Sequence, residues 1–245
     1  MSRHAVTRLT VVALAVCLAL PLAASPAHAG GHRPRIVPPV GPVYDLLGAA
    51  WWKWVLAQPT ATNPLTDDTG ARCANGQRGP VFFLGGDFGG SAEPVTRDQC
   101  VVPRGKFLFF PIVNAVDVHV PGLDDQDTPQ EIWDDLQETL AFSVSEMHAS
   151  IDGVPVRRLD PATSPYRGCS GPVRGCAPPA FSIVLPEDNL FGIDAGRYSP
   201  AVADGFYLLL APLAPGPHTI SFGGRGNLDG EFTQDITYRL VVAPR

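Results

Sequence analysis

Residues Gln77–Asn114 read QRGPVFFLGGDFGGSAEPVTRDQCVVPRGKFLFFPIVN. Two runs in this stretch, Val81–Leu84 and Phe107–Val113, are apolar almost without interruption. A strand with one wet face alternates apolar and polar residues, whereas an uninterrupted apolar strand needs cover on both faces. Both runs are therefore expected in the middle of a core. Between them lies Gly85-Gly86-Asp87-Phe88-Gly89-Gly90, followed by Cys100. This loop lacks the lysine of a phosphate-binding loop and the spacing of a dinucleotide fingerprint, so it reads as a hairpin loop and not as a nucleotide site.

Downstream, Phe181–Leu185 and Phe206–Ala211 are further apolar strands. His218, Ile220 and Phe222 alternate with Thr219 and Ser221, and Ile236, Tyr238, Leu240 and Val242 repeat with the same period of two. That period marks half-buried strands. Gly223–Gly230 reads as the loop joining this last pair, and Pro161–Pro179 and Pro186–Pro200 as longer loops. Asp152-Gly153 between apolar residues is a hairpin turn. Two helices break the β pattern. Leu47, Trp51, Trp54 and Val55 recur at helical spacing over 44–57, and Pro59 stops them. Thr128-Pro129-Gln130-Glu131 supplies a capping Thr, a Pro at the first helical position and a Glu three residues after the cap. Ile132, Leu136, Leu140 and Val144 carry an i, i+4 stripe from there, predicting a helix over 129–147. The expected fold is mostly β: an antiparallel β-sandwich of immunoglobulin-like or jelly-roll type with these two added helices, in one domain over 44–245.

Arg3 and Arg8, the apolar run Leu9–Leu22 and Ala27-His28-Ala29 form a secretory signal with cleavage expected after Ala29. Cys17 lies inside the apolar run, without the surroundings of a lipoprotein site. Residues 30–43 are rich in Pro, Gly and Arg and read as an extended arm. Losing Arg3 and Arg8 with the signal takes the formal charge from −6 to −8, which argues against nucleic acid as a partner. No later segment has the roughly 20 apolar residues of a membrane span, so an extracellular location is expected. Cys73, Cys100, Cys169 and Cys176 remain, an even number in an exported chain. Three pairings are possible; Cys73–Cys100 with Cys169–Cys176 is favoured because each closes a local loop, and zinc is the alternative.

The chain resembles a family of uncharacterised exported bacterial proteins. The likeness lies in W-W-K-W at Trp51–Trp54, N-P at Asn63-Pro64, G-P-V-F-F-L-G-G at Gly79–Gly86 and C-V-V-P-R-G-K-F-L-F-F-P-I-V-N at Cys100–Asn114. It continues in I-D-G-V-P-V at Ile151–Val156, L-P-E-D-N-L-F-G at Leu185–Gly192 and A-V-A-D-G-F-Y at Ala201–Tyr207. It ends in P-G-P-H-T-I-S-F at Pro215–Phe222 and D-I-T-Y-R-L-V-V at Asp235–Val242. The resemblance implies an exported domain of a recurring kind and carries no activity with it.

Several residues are candidates for chemistry. Trp52 points away from the face shared by Trp51 and Trp54, and reads either as partly covered surface or as an aromatic platform for a sugar or other flat ligand. Asp67, with Asp68, fits a turn cap or a cation ligand. Asn114, Asp117 and His119 lie along the end of the second apolar strand, with Asp117 and His119 on one face. His148, at the expected end of the second helix, is a possible third ligand to a divalent metal held by Asp117 and His119. Asp124, Asp125 and Asp127 lack the Gly and Glu of an EF-hand loop and suit the positive end of the following helix. Asp67, Asp87, Asp117, Asp188 and Asp204 are available as carboxylate pairs for glycoside hydrolysis. No G-x-S-x-G elbow is present, and Ser221 and His218 fall on opposite faces of one strand. His218 reads as a strand histidine with a hydrogen-bond partner. Cleavage after Ala27 would make His28 the N-terminus, as in the copper brace of lytic polysaccharide monooxygenases. The leading expectation is an exported binding module for a cell-envelope or carbohydrate ligand. The alternative is a metal-assisted hydrolase, and the remote alternative is copper-dependent polysaccharide oxidation.

Overall fold

The computed structural model describes residues 34–90, 93–123, 125 and 127–244. The expected signal, its cleavage site, His28, residues 30–33 of the arm and Asp124 lie outside the described residues.

Two sheets form a sandwich, and a helix covers the outer face of one of them. The chain runs through α1 (Val43–Leu56), β1 (Val81–Phe83), β2 (Val95–Arg97), β3 (Val101–Val102), β4 (Phe107–Val118) and α2 (Pro129–Asp134). It continues through β5 (Ser143–Ile151), β6 (Val154–Pro155), β7 (Arg167–Ser170), β8 (Phe181–Leu185), β9 (Gly196–Leu210), β10 (Gly216–Asn227) and β11 (Glu231–Val242). The first sheet has the order β1-β4-β9-β7, with β8 also on β9; the second has the order β2-β11-β10-β5-β6, with β3 also on β11.

The apolar runs are explained by which sheet they occupy. On β4, Leu108, Phe110 and Ile112 face the second sheet, where Phe110 meets Phe222 with ring centroids 4.6 Å apart. The residue between them, Phe109, faces the other way, stacked on Tyr207 at 5.2 Å under α1. On β9, Phe206, Leu208 and Leu210 join the inter-sheet core, while Tyr207 and Leu209 join the core beneath α1. A central strand with a dry face on each side has no position for a polar residue, as expected for Phe107–Val113. Truncating Phe109 to Ala in such a site costs about 3–5 kcal/mol. The first apolar run is different. Its strand β1 is a three-residue edge, and Val81 and Phe83 are only half-buried.

The described part of the arm is tied down on β9. Ile36 bridges to Leu210, and Val37 N–H donates to Leu209 O. The Tyr44 hydroxyl donates to Val37 O at 2.8 Å and accepts from Leu209 N–H at 3.1 Å. Burial pushes the Tyr44 phenol up to about 12, against the Leu209 hydrogen bond and with a smaller contribution from Tyr166. Both expected disulfides are formed, Cys73–Cys100 and Cys169–Cys176. The hairpin at Asp152-Gly153 joins β5 to β6, with positive φ at both residues. His218 finds its partner there: Nδ1 lies 2.8 Å from Asp152 Oδ2.

Several expectations are corrected. The helix over 129–147 stops far earlier. Its capping box forms, with Thr128 accepting from Glu131 N–H and Glu131 accepting from Thr128 N–H. Ile132 and Leu136 are buried as the stripe requires, through α2 and one π turn over Asp135–Thr139. Ala141 then turns to φ 48°, and the chain becomes β5. From Met147 the buried residues fall at Met147, Ala149 and Ile151, a period of two that the helical stripe concealed. The open edge of β10 over Ile220–Asn227 supplies the pairing partner, so tertiary pairing overrides helical pattern. Gly223–Gly230 is not a loop: β10 runs to Asn227, and β11 pairs back from Glu231. Part of Pro186–Pro200 belongs to β9, and part of Pro161–Pro179 is β7. The sandwich is not wholly antiparallel either, since β1 runs parallel to β4, and β2 and β3 parallel to β11. Gly85–Gly90 is therefore a crossover that carries the chain from the first sheet to the second, not a hairpin loop.

Candidate functional site

The crossover loop is held by buried polar groups of the second sheet and of α1. Arg97, fully buried, donates from Nη1 to Gly85 O at 2.9 Å and to the Tyr238 hydroxyl at 2.8 Å. Its guanidinium lies over the Tyr238 ring, 5.4 Å from the centroid. The Tyr238 hydroxyl accepts from Gly85 N–H and donates to Gly85 O. Trp51 Nε1 donates to Leu84 O at 2.9 Å. Gln234 bridges the loop to β4: its Oε1 accepts from Asp87 N–H at 3.1 Å and its Nε2 donates to Ile112 O at 2.5 Å. A Cβ on Gly86 would sit 2.7 Å from Gln234 Oε1, so that position has no room for a side chain. Asp87 and Phe88 are thus the only residues of Gly85–Gly90 that carry side chains, on a backbone held at Gly85 and Asp87.

Beside this loop lies a cavity of about 240 Å³. Trp51 and Trp52 of α1 and Leu65 of the short turn Pro64–Thr66 form one wall. Asn114, Ala115 and Val116 of β4 form the floor, and Phe191 with the loop's Phe88 a second wall. Leu228, Glu231, Phe232 and Gln234 close it from the β10–β11 turn. The rings are inclined to one another. Trp51 and Trp52 meet edge to face at 4.8 Å and 86°, and Phe88 and Phe191 at 6.2 Å and 57°.

Asp87 is the charged group set deepest in this wall. Burial raises its carboxyl above the ordinary value; the nearby Arg97 opposes the rise, Asp68 adds to it and the Phe88 N–H opposes it weakly. Asp87 also borders a surface groove lined by Asp68 and Glu93. Glu231 is exposed at the cavity rim.

The residues singled out from the sequence separate into three groups. Trp52 and Asn114 come together as cavity lining. Trp52 is buried like Trp51 and Trp54, 6 % exposed, and so is neither partly covered surface nor an open platform. Among the described residues its indole N–H has no hydrogen-bond partner. Asn114 Nδ2 lies 3.5 Å from the Tyr207 hydroxyl, a phenol that burial raises strongly. Asp67 is elsewhere and caps a turn: its Oδ1 accepts from Thr69 N–H and hydroxyl, and its Oδ2 from Arg72 N–H at 2.6 Å. Burial would raise this carboxyl, but the hydrogen bonds from Thr69, Arg72 and Gly70 together outweigh it and hold it below the usual range.

Asp117, His119 and His148 form the third group, and they are not gathered. Asp117 is near the end of β4 and accepts from Val118 N–H at 2.7 Å, while His119 N–H donates to Pro200 O. His148 is in mid-strand on β5 in the other sheet, not at a helix end, with Nε2 3.4 Å from Asp235 Oδ1. Among the described residues no three His, Cys, Asp or Glu side chains are grouped so as to hold a metal ion. The other available carboxylates are also committed: Asp188 accepts from Ala61 N–H, and buried Asp204 is paired bidentately with Arg167. The lining residues that the sequence did not single out include Leu65, Phe88, Phe191, Leu228, Glu231, Phe232 and Gln234. A signal existed for one of them, since an Asp-Phe pair flanked on each side by two glycines exposes only those two side chains.

No protein-family model matches the chain, and no curated protein matches it in sequence. Among solved structures, the solution structure of Amebosin aligns with 62 % of this chain and 99 % of its own, at 9 % identity and a TM-score of 0.18. A score that low carries no argument about fold or function. Among the described residues no helix is long and apolar enough to cross a membrane.

Proposed function

We propose that the protein is an exported binding module that holds a small extracellular ligand in the cavity between α1, the Gly85–Gly90 loop, β4 and the β10–β11 turn. The observation that carries this reading is the meeting of Trp52 and Asn114, far apart in sequence, on the wall of one preformed cavity. Apolar lining with a few converging polar groups is the ordinary chemistry of small-molecule sites. The fixed loop supports the reading too, because a site that is already organised loses little on binding. The two disulfides and the resemblance to exported bacterial proteins agree with an extracellular setting. The metal-assisted hydrolase draws no comparable support, as Asp117 and His119 lie outside this cavity and His148 is in the other sheet.

The test is a thermal-shift screen of the secreted protein against small metabolites, sugars and soluble cell-envelope fragments. A ligand present at a hundred times its Kd adds about 2.7 kcal/mol and raises Tm by several degrees. Asn114→Ala, which removes an amide from the floor, is expected to weaken the hit. A flat screen, with no compound moving Tm in the wild-type protein, sinks the proposal.

A further inference from the structure

The lining of the cavity also bears on what kind of ligand it takes. We infer that the ligand is a small organic ammonium compound carrying a methylated cationic head, seated among the inclined aromatic rings and held by Asp87 and Glu231. This rests on the cavity being a binding site at all.

Three features carry it. First, among the described residues the titratable side chains on the wall are Asp87 and Glu231, both carboxylates, and no Lys, Arg or His lines the space. The basic group close by, Arg97, is spent behind the loop on Gly85 O and the Tyr238 hydroxyl. Two carboxylates in a partly dry wall attract a cation and repel an anion. Second, five aromatic side chains (Trp51, Trp52, Phe88, Phe191 and Phe232) line the space, and the touching pairs are inclined at 86° and 57°, so neither pair offers a flat surface. Stacking a sugar asks for an open ring face, whereas a cation is stabilised by ring faces around it within about 6 Å. Third, the neutral hydrogen-bonding groups of the lining left for a ligand are few, chiefly the Asn114 amide and the Trp52 N–H. Gln234 is engaged through both its oxygen and its nitrogen, and the Trp51 N–H is given to Leu84 O. A sugar with many hydroxyls would have to share these few groups and the two carboxylates, while a trimethylammonium head needs no hydrogen bonds. At about 240 Å³ the space lies just below the roughly 300–1,000 Å³ of drug-sized ligand sites, which suits a small head group. The upward pull on the Asp87 carboxyl agrees, since a cation seated beside it would supply the partner that its environment only partly provides.

The probes are choline, tetramethylammonium and 3,3-dimethylbutan-1-ol, the last having choline's shape without its charge. Each is titrated calorimetrically into the intact secreted protein at low salt, beside a neutral monosaccharide. The expected result is binding of both ammonium compounds, at least about tenfold weaker binding of the neutral alcohol, and loss of affinity as salt rises. Asp87→Asn is expected to cost about tenfold or more and Glu231→Gln several-fold, and Phe232→Leu to weaken the cations more than the alcohol. Glu231 is exposed, so its variant reports on charge even if Asp87→Asn disturbs Arg97. Equal binding of the alcohol, or binding of the sugar alone, with the carboxylate variants unchanged, overturns the cation assignment and leaves the binding-module reading standing. No heat with either ammonium compound at millimolar concentration also overturns it. A flat metabolite screen as well would remove the binding-module reading itself.

Discussion

The turn at Asp67–Arg72 and the loop at Gly85–Gly90 are close in sequence and rest on the same buried residue, yet they treat a carboxylate in opposite ways. Both lean on Arg97. A Cβ on Gly70 would meet Arg97 Cβ at 2.9 Å, and the Arg97 guanidinium donates into Gly85. In the first region the carboxylate collects donors. Asp67 takes three hydrogen bonds from Thr69 and Arg72, and its pKa is driven down. In the second, Asp87 uses its backbone N–H to fix the loop, while its carboxylate is partly desolvated and its pKa is driven up. The difference teaches how to tell a carboxylate that builds the fold from one that is kept for something else. In the first, hydrogen bonds from the chain outweigh the desolvation; in the second, desolvation outweighs what the Phe88 N–H and Arg97 supply.

The sharpest way to break the comparison is to release what holds the second region. The Cys73–Cys100 disulfide closes the segment that contains Gly85–Gly90, whereas the Asp67 turn lies just outside it. Replacing both cysteines by Ala frees a loop with a sequence separation of 27, worth about 3–4 kcal/mol in chain entropy, and both residues are buried. Urea unfolding is expected to show that loss. The shorter Cys169–Cys176 loop, with a separation of 7, should cost less, about 2–3 kcal/mol. Equal effects from the two pairs would mean that loop length does not govern their contribution here.

The next effect is smaller and belongs to the first region. Asp67→Ala removes a buried carboxylate that accepts from the Thr69 and Arg72 N–H groups of a partly exposed turn, at a cost of about 1–2 kcal/mol. Asp87→Asn should behave differently. Its environment disfavours the charged form relative to water, so replacing the carboxylate by an amide of nearly the same shape should change stability by less than about 1 kcal/mol. Ligand binding would nonetheless fall. If Asp87→Asn destabilised the protein as much as Asp67→Ala, the distinction between the two carboxylates would fail.

Much of this architecture was legible in the sequence because it depends on local signals. The capping box at Thr128, the Asp152-Gly153 turn, the period-two strands from His218 to Val242 and the even set of cysteines each declare themselves within a few residues. What escaped was decided by distant partners. Ser143–Ile151 follows a good helical stripe and becomes a strand because β10 presents an open edge to it. Gly85–Gly90 resembles a hairpin loop, yet its flanking strand β1 runs parallel to β4 and the chain crosses between sheets. The site was half legible. Trp52 and Asn114 stood out as an unusual tryptophan and a polar residue ending an apolar strand. Phe191, Glu231 and Phe232 lie in ordinary loop and strand-end sequence, and only the approach of three separate segments makes them neighbours. Asp117 and His119 show the reverse error: alternation placed them on one face, but a shared face does not bring a third ligand.

The smallest expected effect, and the one that separates the two regions most cleanly, is in the acid limb of stability. Asp67 has a folded pKa below its unfolded value of about 3.9. Its contribution is therefore complete above that value and is lost as pH falls through the lower folded value. Asp87 has a folded pKa above its unfolded value, so its charged form is disfavoured by folding. The protein pays that penalty at neutral pH and is relieved of it as pH drops through the raised value. Urea midpoints measured from pH 7 down to pH 3 for the wild type and the variants Asp67→Asn and Asp87→Asn test both signs. The difference between wild type and Asp87→Asn should fade while pH is still above about 4, as the wild-type carboxyl takes up its proton. The difference between wild type and Asp67→Asn should hold constant over that range and shrink only below it. If the two differences fade together, the two carboxylates titrate alike, and the burial of Asp87 is balanced by Arg97 more fully than its surroundings indicate.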